Sequence, residues 1–191
     1  MSDLPAILQR SEAAGHAVFT RGSWNLNLIG VRTASRIANR FDDWMHVVFR
    51  DDSGSWVDLS FECTTDPGTY HLENPSRRAG TAILKAGQYR GVWKIDKHRG
   101  QYDALCQRNG KVSVYRDSNR DTVHDLDDNS VMDGWFGINI HKAGSNSTSV
   151  NKWSAGCQVI ANEAEWEIFM AIIRKSASLY GDTFSYTLLE D

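Results

Sequence analysis

The sequence contains little cysteine, and its three cysteines are not spaced for a structural site. Cys63, Cys106 and Cys157 form no C-x-x-C pair, and their odd number leaves at least one thiol without a disulfide partner. This pattern argues against a disulfide scaffold and against a zinc knuckle. We therefore expect no metal site built on cysteine and at least one free thiol.

Long hydrophobic runs and an excess of positive charge are also missing. No stretch approaches the roughly eighteen consecutive apolar residues that a membrane-spanning helix needs. The N-terminal residues lack the charged start and apolar run of a signal peptide. We therefore expect a chain made as a soluble cytoplasmic protein, which would reach a cell wall only by a non-Sec route. The net charge of −3 provides no basic surface for nucleic acid, so that partner is not expected.

The composition that remains is that of an ordinary folded domain. The chain has 191 residues, of which 41% are hydrophobic and 24% charged, which is too apolar for a disordered protein. This length suits one domain over residues 1–191. The seven tryptophans are many for this length, and we expect most of them in the core, with one or two free to line a cleft for a polymeric ligand.

Two segments have the pattern of a helix. Residues 3–14 predict a short amphipathic helix that ends at Gly15. Residues 163–179 predict a long helix, because Asn162 followed by Glu165 is typical of a helix start and Gly181 of a helix end. Trp166, Phe169, Met170 and Ile173 form the apolar stripe of the second helix.

Most of the remaining chain alternates apolar and polar residues, which is typical of half-buried strands. The segment "WNLNLIGV" has this period of two, and "MHVVFRDDSGSWVDLSFEC" predicts two strands with apolar residues on one face. Further strands are predicted at "GTAIL", "QYRGVWKI" and "TFSYTLL". Asn109-Gly110 predicts a tight hairpin between "DALCQ" and "KVSVYR", and "WFGINIH" predicts a strand ending at His141. The predicted fold class is α+β, dominated by sheet, with Cys63 and Cys106 as core residues.

A histidine and a cysteine at the two ends of a polar loop are the clearest sign of chemistry. His141 ends an apolar strand, and "SAGC" places Ser154 and Gly156 just ahead of Cys157. A neighbouring imidazole lowers the pKa of a thiol and makes the thiolate available as a nucleophile. In such a turn the backbone N–H groups of Gly156 and Cys157 would face a developing oxyanion, and the Ser154 hydroxyl would hold the turn by a hydrogen bond to the backbone.

The same residues also have a purely structural interpretation. A free cysteine is most often a small buried hydrophobe, and a histidine at the end of a strand often has no catalytic partner. The spacing of His141 and Cys157 alone does not decide between a nucleophile with its base and two unrelated residues.

The segment "GINIHKAG…SAGCQVI" resembles the signature of the L,D-transpeptidase catalytic domain, and "GSWVDLSFECTTDPGTYHL" is similar to an earlier part of that family's pattern. The resemblance implies a β-sandwich-like fold in which Cys157 attacks and His141 takes the proton. It further implies that the backbone carbonyl of Lys142 orients the imidazole. The implied substrate is an amide between an L- and a D-configured centre in a peptidoglycan stem peptide, cleaved through a thioester on Cys157, with no cofactor required.

The sequence departs from the family pattern near the nucleophile. Ala155 occupies a position where many members have histidine, and Gln158-Val159 replaces an apolar residue followed by Asn or Arg. Lys142 replaces the usual Gly or Ser after the histidine. These differences leave the nucleophile and the base in place but change the expected contacts to substrate and acceptor.

The acidic segment "DSNRDTVHDLDD" has the spacing of a calcium loop. Asp117, Asn119, Asp121, Asp125 and Asp128 occupy positions one, three, five, nine and twelve. The glycine of the sharp turn is absent, however, and the last carboxylate is an aspartate rather than the usual glutamate. These differences favour a solvated acidic loop over a calcium site.

Three functional hypotheses remain open from the sequence. The first is an L,D-transpeptidase-type enzyme acting on peptidoglycan stems, and the second is a hydrolase with the same two residues, such as a phage lysin or an antibacterial effector. The third is a non-catalytic wall-binding or phage structural module that keeps the fold. His98, Arg99 and Tyr102 would line a cleft in the first two cases, or form a plain polar turn between strands.

Overall fold

The computed structural model describes residues 3–145 and 147–191, and within this part of the chain eight strands close into a barrel. Around the barrel the strand order is β1-β11-β5-β6-β9-β10-β3-β2, and β4, β7 and β8 form a separate three-stranded sheet. The strands, in chain order, are β1 (Asn27–Arg32), β2 (Asp43–Arg50), β3 (Trp56–Thr64), β4 (Thr81–Leu84), β5 (Gly87–His98), β6 (Tyr102–Gln107), β7 (Val112–Asp117), β8 (Met132–Gly134), β9 (Ile140–Lys142), β10 (Gln158–Ile160) and β11 (Thr183–Glu190).

Three α-helices accompany the strands in the described part of the chain. They are α1 (Ala6–Ala13), α2 (Thr69–Glu73) and α3 (Glu163–Tyr180). The side chain of Asn162 caps α3 by accepting from the backbone N–H groups of Ala164 and Glu165, and Gly181 follows the helix with a φ of 90°. Both helix predictions are confirmed, and α1 begins a little later than predicted because Pro5 is its N-cap.

The main core fills the barrel and extends to α3. Leu28, Met45 and Phe61 are buried inside the barrel and belong to the same cluster as Phe169 and Ile173 of α3. Full burial of one such side chain stabilises the fold by about 1.5–3 kcal/mol. Helix α3 contacts β9 and β10, so the largest helix supports the two strands next to His141 and Cys157.

The mixed α and β content dominated by strands is confirmed, but the barrel differs from the expected β-sandwich. β1 pairs with both β2 and β11, and β11 continues to β5, so the sheet closes on itself. Alternation of apolar residues shows only which face of a strand is buried, and a barrel and a sandwich share that alternation. The closing pair is parallel and joins opposite ends of the chain, which no local pattern indicates.

The predicted Asn109-Gly110 hairpin is wrong. β6 pairs with β5 and β9, whereas β7 pairs with β4 and β8 in the separate sheet. Neither Asn109 nor Gly110 has a positive φ, and the backbone N–H of Asn109 donates to the carbonyl of Val92. The tight turn lies instead at Arg99-Gly100, where both residues have a positive φ and β5 passes directly into β6.

Candidate active site

The histidine and the cysteine are brought together by two neighbouring parallel strands. His141 lies in β9 opposite Val159 of β10, and Cys157 directly precedes β10. Ile140 and Ile160 point into the main core. Because side chains alternate along a strand, His141, Val159 and Cys157 lie on the other face, outside the barrel. The predicted strand "WFGINIH" is shorter than expected, since only its last two residues belong to β9.

The turn ahead of the cysteine is held by its own serine. The hydroxyl of Ser154 donates to the carbonyl of Cys157 at 2.8 Å and accepts from the backbone N–H of Gly156 at 3.1 Å. Gly156 has a φ of 116°, and a Cβ at this position would lie 2.2 Å from the carbonyl oxygen of Ala82. The turn therefore requires glycine both for its conformation and for its close contact with β4.

One of the two expected oxyanion donors is already engaged. The N–H of Gly156 donates to Ser154 within the turn. Among the described residues, the backbone N–H of Cys157 has no acceptor. Of the two expected oxyanion donors, the N–H of Cys157 is therefore the one that remains available for a developing negative charge.

The imidazole of His141 is fixed in one tautomer. Its Nδ1 lies 2.8 Å from the carbonyl oxygen of Lys142, and a carbonyl only accepts, so Nδ1 carries the proton and donates it. Nε2 is then the unprotonated nitrogen of the neutral ring, which is the nitrogen that a general base uses. This is the contact that the family resemblance implies for Lys142.

A second histidine stacks on the first. The rings of His98 and His141 are 4.1 Å apart between centroids and 28° from parallel. The side-chain amide nitrogen of Asn139 lies 3.2 Å from Nδ1 of His98, and since an amide NH₂ only donates, His98 accepts there and is neutral in this contact. Asn139 also donates its backbone N–H to the sulfur of Cys157 at 3.4 Å. Asn139 thus connects the histidine pair to the thiol.

A small cleft of about 60 Å³ lies over the histidine pair. His98, Arg99 and Tyr102 line it together with His141, so the structure brings these sequence candidates to the site. Trp153, which is 42% exposed, forms another part of the cleft wall. Sequence reasoning missed Asn139 and Trp153. Asn139 directly precedes β9 and lies two residues before His141, and that spacing was the available signal.

Burial keeps both reactive groups of the site neutral. Burial among protein atoms raises the pKa of the Cys157 thiol to about 11, although the residue as a whole is partly exposed. Burial, followed by the neighbouring His98, lowers the pKa of His141 to about 3. The expectation that the imidazole lowers the pKa of the thiol is therefore wrong, because burial raises the pKa of Cys157. Desolvation disfavours the charged form of each group and is the largest cause of both shifts.

The low pKa of His141 predicts an unusual pH profile for any activity that uses it as a base. A base must be unprotonated, and a group with a pKa of about 3 stays unprotonated well below its ordinary value of 6.5. We expect kcat/KM to be nearly constant from about pH 5 to about pH 8, with the acidic decline at lower pH. Initial rates across this range provide the measurement, at an ionic strength held constant. A decline centred near pH 6.5 would contradict the assignment of a buried, neutral His141.

The acidic loop is organised by its own hydrogen bonds. Asp117 accepts from the backbone N–H of Asp125, and the side-chain amide of Asn119 donates to the carboxylates of Asp121 and Asp125. The carboxylate of Asp128 forms an ion pair with Lys85. Within the described residues, no group of three or more His, Cys, Asp or Glu side chains is placed to hold a metal ion.

No family model matches this chain, and no curated protein and no solved structure matches it either. In the part of the chain that the structure describes, none of the helices is long and apolar enough to cross a bilayer.

Proposed function

We propose that this protein is a cysteine-dependent enzyme of the L,D-transpeptidase type that acts on peptidoglycan stem peptides. The observation that carries the proposal is the fixed imidazole of His141, which donates Nδ1–H to the Lys142 carbonyl on a strand that neighbours the Cys157 turn. A merely structural histidine and thiol would not need a fixed tautomer, a serine-held glycine turn and a free N–H at the cysteine. The L,D-transpeptidase-like character of the fold belongs to the same proposal.

The neutral resting state determines the first chemical step. The Cys157 thiol attacks the carbonyl carbon of the scissile amide as its proton moves to Nε2 of His141, because a preformed ion pair is disfavoured by burial. The backbone N–H of Cys157 stabilises the tetrahedral oxyanion. Collapse breaks the C–N bond, and the leaving amine takes the proton from the imidazolium, which leaves a thioester on Cys157.

The thioester then passes to an acceptor. Attack by an amine forms a cross-link, and attack by water releases a shortened stem. In both cases His141 accepts the acceptor's proton and returns it to the Cys157 sulfur as the C–S bond of the thioester breaks. The cleft over His98 and His141 lies where an acceptor would approach the imidazole.

Mass spectrometry of muropeptides incubated with the purified protein tests the proposal. New cross-linked dimers identify a transferase, and shortened stems identify a hydrolase. Unchanged muropeptides, under conditions where the protein is folded, would overturn the proposal and favour the non-catalytic wall-binding or phage structural module.

We expect hydrolysis of the stem to exceed cross-link formation. Ala155 is exposed beside the nucleophile turn and offers only a methyl group, so this position supplies no hydrogen bond to seat an acceptor amine. Gln158 is not part of this argument, because its side chain is buried and accepts from the Tyr186 hydroxyl at 2.9 Å. Incubation with equimolar donor and acceptor stems measures the product ratio. A dominant cross-linked dimer would contradict the expected preference for water.

A further inference from the structure

An arginine-lined pocket of about 130 Å³ lies beside the Cys157 turn and is separate from the histidine cleft. Arg77 and Arg116 line it together with the exposed Trp135, and Ala155 forms part of its wall. None of the described residues that line the pocket is an aspartate or a glutamate. The pocket thus concentrates positive charge in a protein whose net charge is −3.

The two guanidinium groups lack an anion. Within residues 3–145 and 147–191, neither Arg77 nor Arg116 forms an ion pair with a carboxylate. Arg116 donates from Nη2 to the carbonyl of Gly80, while its buried Nε has no hydrogen-bond partner. Burial, together with the nearby charge of Arg77, lowers the pKa of Arg116. An anion in the pocket would offset this repulsion between the two guanidinium groups.

The pocket shares its walls with the segments that contact the thiol. Ala155 precedes Gly156, whose Cα packs against the carbonyl of Ala82 in the same pocket wall. Phe136 lines the pocket 5.7 Å from the Arg116 guanidinium and precedes Gly137, whose carbonyl lies 3.5 Å from the sulfur of Cys157. The pocket is therefore joined to the Cys157 turn through Ala155 and through the Phe136–Gly137 segment.

We propose that Arg77 and Arg116 form a carboxylate-binding subsite that positions the substrate of the candidate active site. The planar guanidinium fork matches the two oxygens of a carboxylate, which favours a carboxylate over a neutral group of the same shape. This inference rests on the proposed function for the identity of the substrate. The carboxylate belongs either to the C-terminal D-residue that leaves or to a residue on the acyl side of the scissile bond.

Matched peptides and matched variants test the subsite. The peptides are a stem tetrapeptide with free carboxylates, the same peptide with a C-terminal amide, and the same peptide with its acyl-side carboxyl groups amidated. Arg116→Gln and Arg77→Gln remove the proposed contacts. Arg78→Gln is the control, because Arg78 is exposed like Arg77 and adjacent to it in sequence but does not line the pocket. Arg77→Gln preserves the test if Arg116→Gln does not fold.

The expected result is a 10- to 100-fold lower kcat/KM for Arg77→Gln and Arg116→Gln on the free-carboxylate peptide, the range of about one charge-assisted hydrogen bond. One of the two amidated peptides should show the same loss with wild-type protein and no further loss with the variants, which identifies the carboxylate that binds. Arg78→Gln should behave as wild type. Equal effects of the arginine variants on all three peptides would overturn the inference.

Calorimetric binding of the same peptides to Cys157→Ala separates the subsite from the enzymatic function. The subsite is supported if Cys157→Ala binds the free-carboxylate peptide more tightly than an amidated peptide and the double variant with Arg116→Gln does not. This result supports the subsite even if the wild-type protein shows no turnover. Turnover by wild-type protein without such discrimination overturns the subsite and leaves the proposed function standing. Absence of both binding and turnover overturns both.

Discussion

Replacement of Cys157 by alanine is expected to reduce turnover of the stem peptide by roughly 10⁴-fold or more while leaving the protein folded. Without the sulfur no thioester forms, and a protein that loses its nucleophile retains only what binding and the oxyanion donor contribute. The thiol makes only weak contacts, to the N–H of Asn139 at 3.4 Å and to the carbonyl of Gly137 at 3.5 Å. We therefore expect the free energy of unfolding to change by less than about 1 kcal/mol. Product release by mass spectrometry and urea unfolding provide the two measurements.

Cys63→Ala is the matched control for this experiment. Cys63 is fully buried in the main core on β3, so its truncation leaves a small cavity and lowers the free energy of unfolding by about 1 kcal/mol. Turnover by this variant should stay near the wild-type rate at temperatures where it is folded. If Cys157→Ala instead lowers the free energy of unfolding strongly and the folded variant retains turnover, then Cys157 is a core thiol.

Replacement of Arg32 by methionine is expected to lower the free energy of unfolding by about 3–5 kcal/mol. The Arg32 side chain is fully buried and forms ion pairs with Asp66 at 2.9 Å and with Glu190 at 3.0 Å. It also donates to the backbone carbonyls of Thr65 and Leu84. Methionine fills much of the volume but removes the guanidinium that pairs with the buried Asp66, and removal of one partner from a buried pair has an effect of this size. Chemical unfolding at constant pH measures it.

Arg10→Met is the control for the arginine experiment. Arg10 also pairs with a carboxylate, that of Asp191 at 2.7 Å, but both side chains are exposed to solvent. An exposed pair contributes about 1 kcal/mol or less, so this variant should unfold close to wild type. Similar losses for Arg10→Met and Arg32→Met would mean that burial of the Arg32 network does not determine its contribution to the free energy of unfolding.

The Arg32 network also reaches the candidate active site, because the Thr65 carbonyl accepts from the side chain of Gln158, the residue after Cys157.

The sequence by itself determined the local elements and the pair of residues at the centre of the site. The period of apolar residues and the caps at Asn162 and Gly181 were sufficient to predict α3, because hydrogen bonds and side-chain contacts between residues a few positions apart form the helix and its ends. Alternation located most strands and correctly indicated a protein dominated by sheet. The "SAGC" turn could also be predicted from the sequence, because its serine contacts the glycine and the cysteine within four residues.

Only the tertiary structure decided how these elements pair and what environment they create. Closure of the barrel and the separation of β6 from β7 depend on strand partners far apart in sequence. A local turn signal such as Asn109-Gly110 does not determine which distant strands pair. The direction of the pKa shifts at Cys157 and His141 is set by desolvation from the whole surrounding fold, which residue spacing does not report. For the same reason, the convergence of Arg77 and Arg116 beside the nucleophile turn becomes visible only once β4 and β7 are paired.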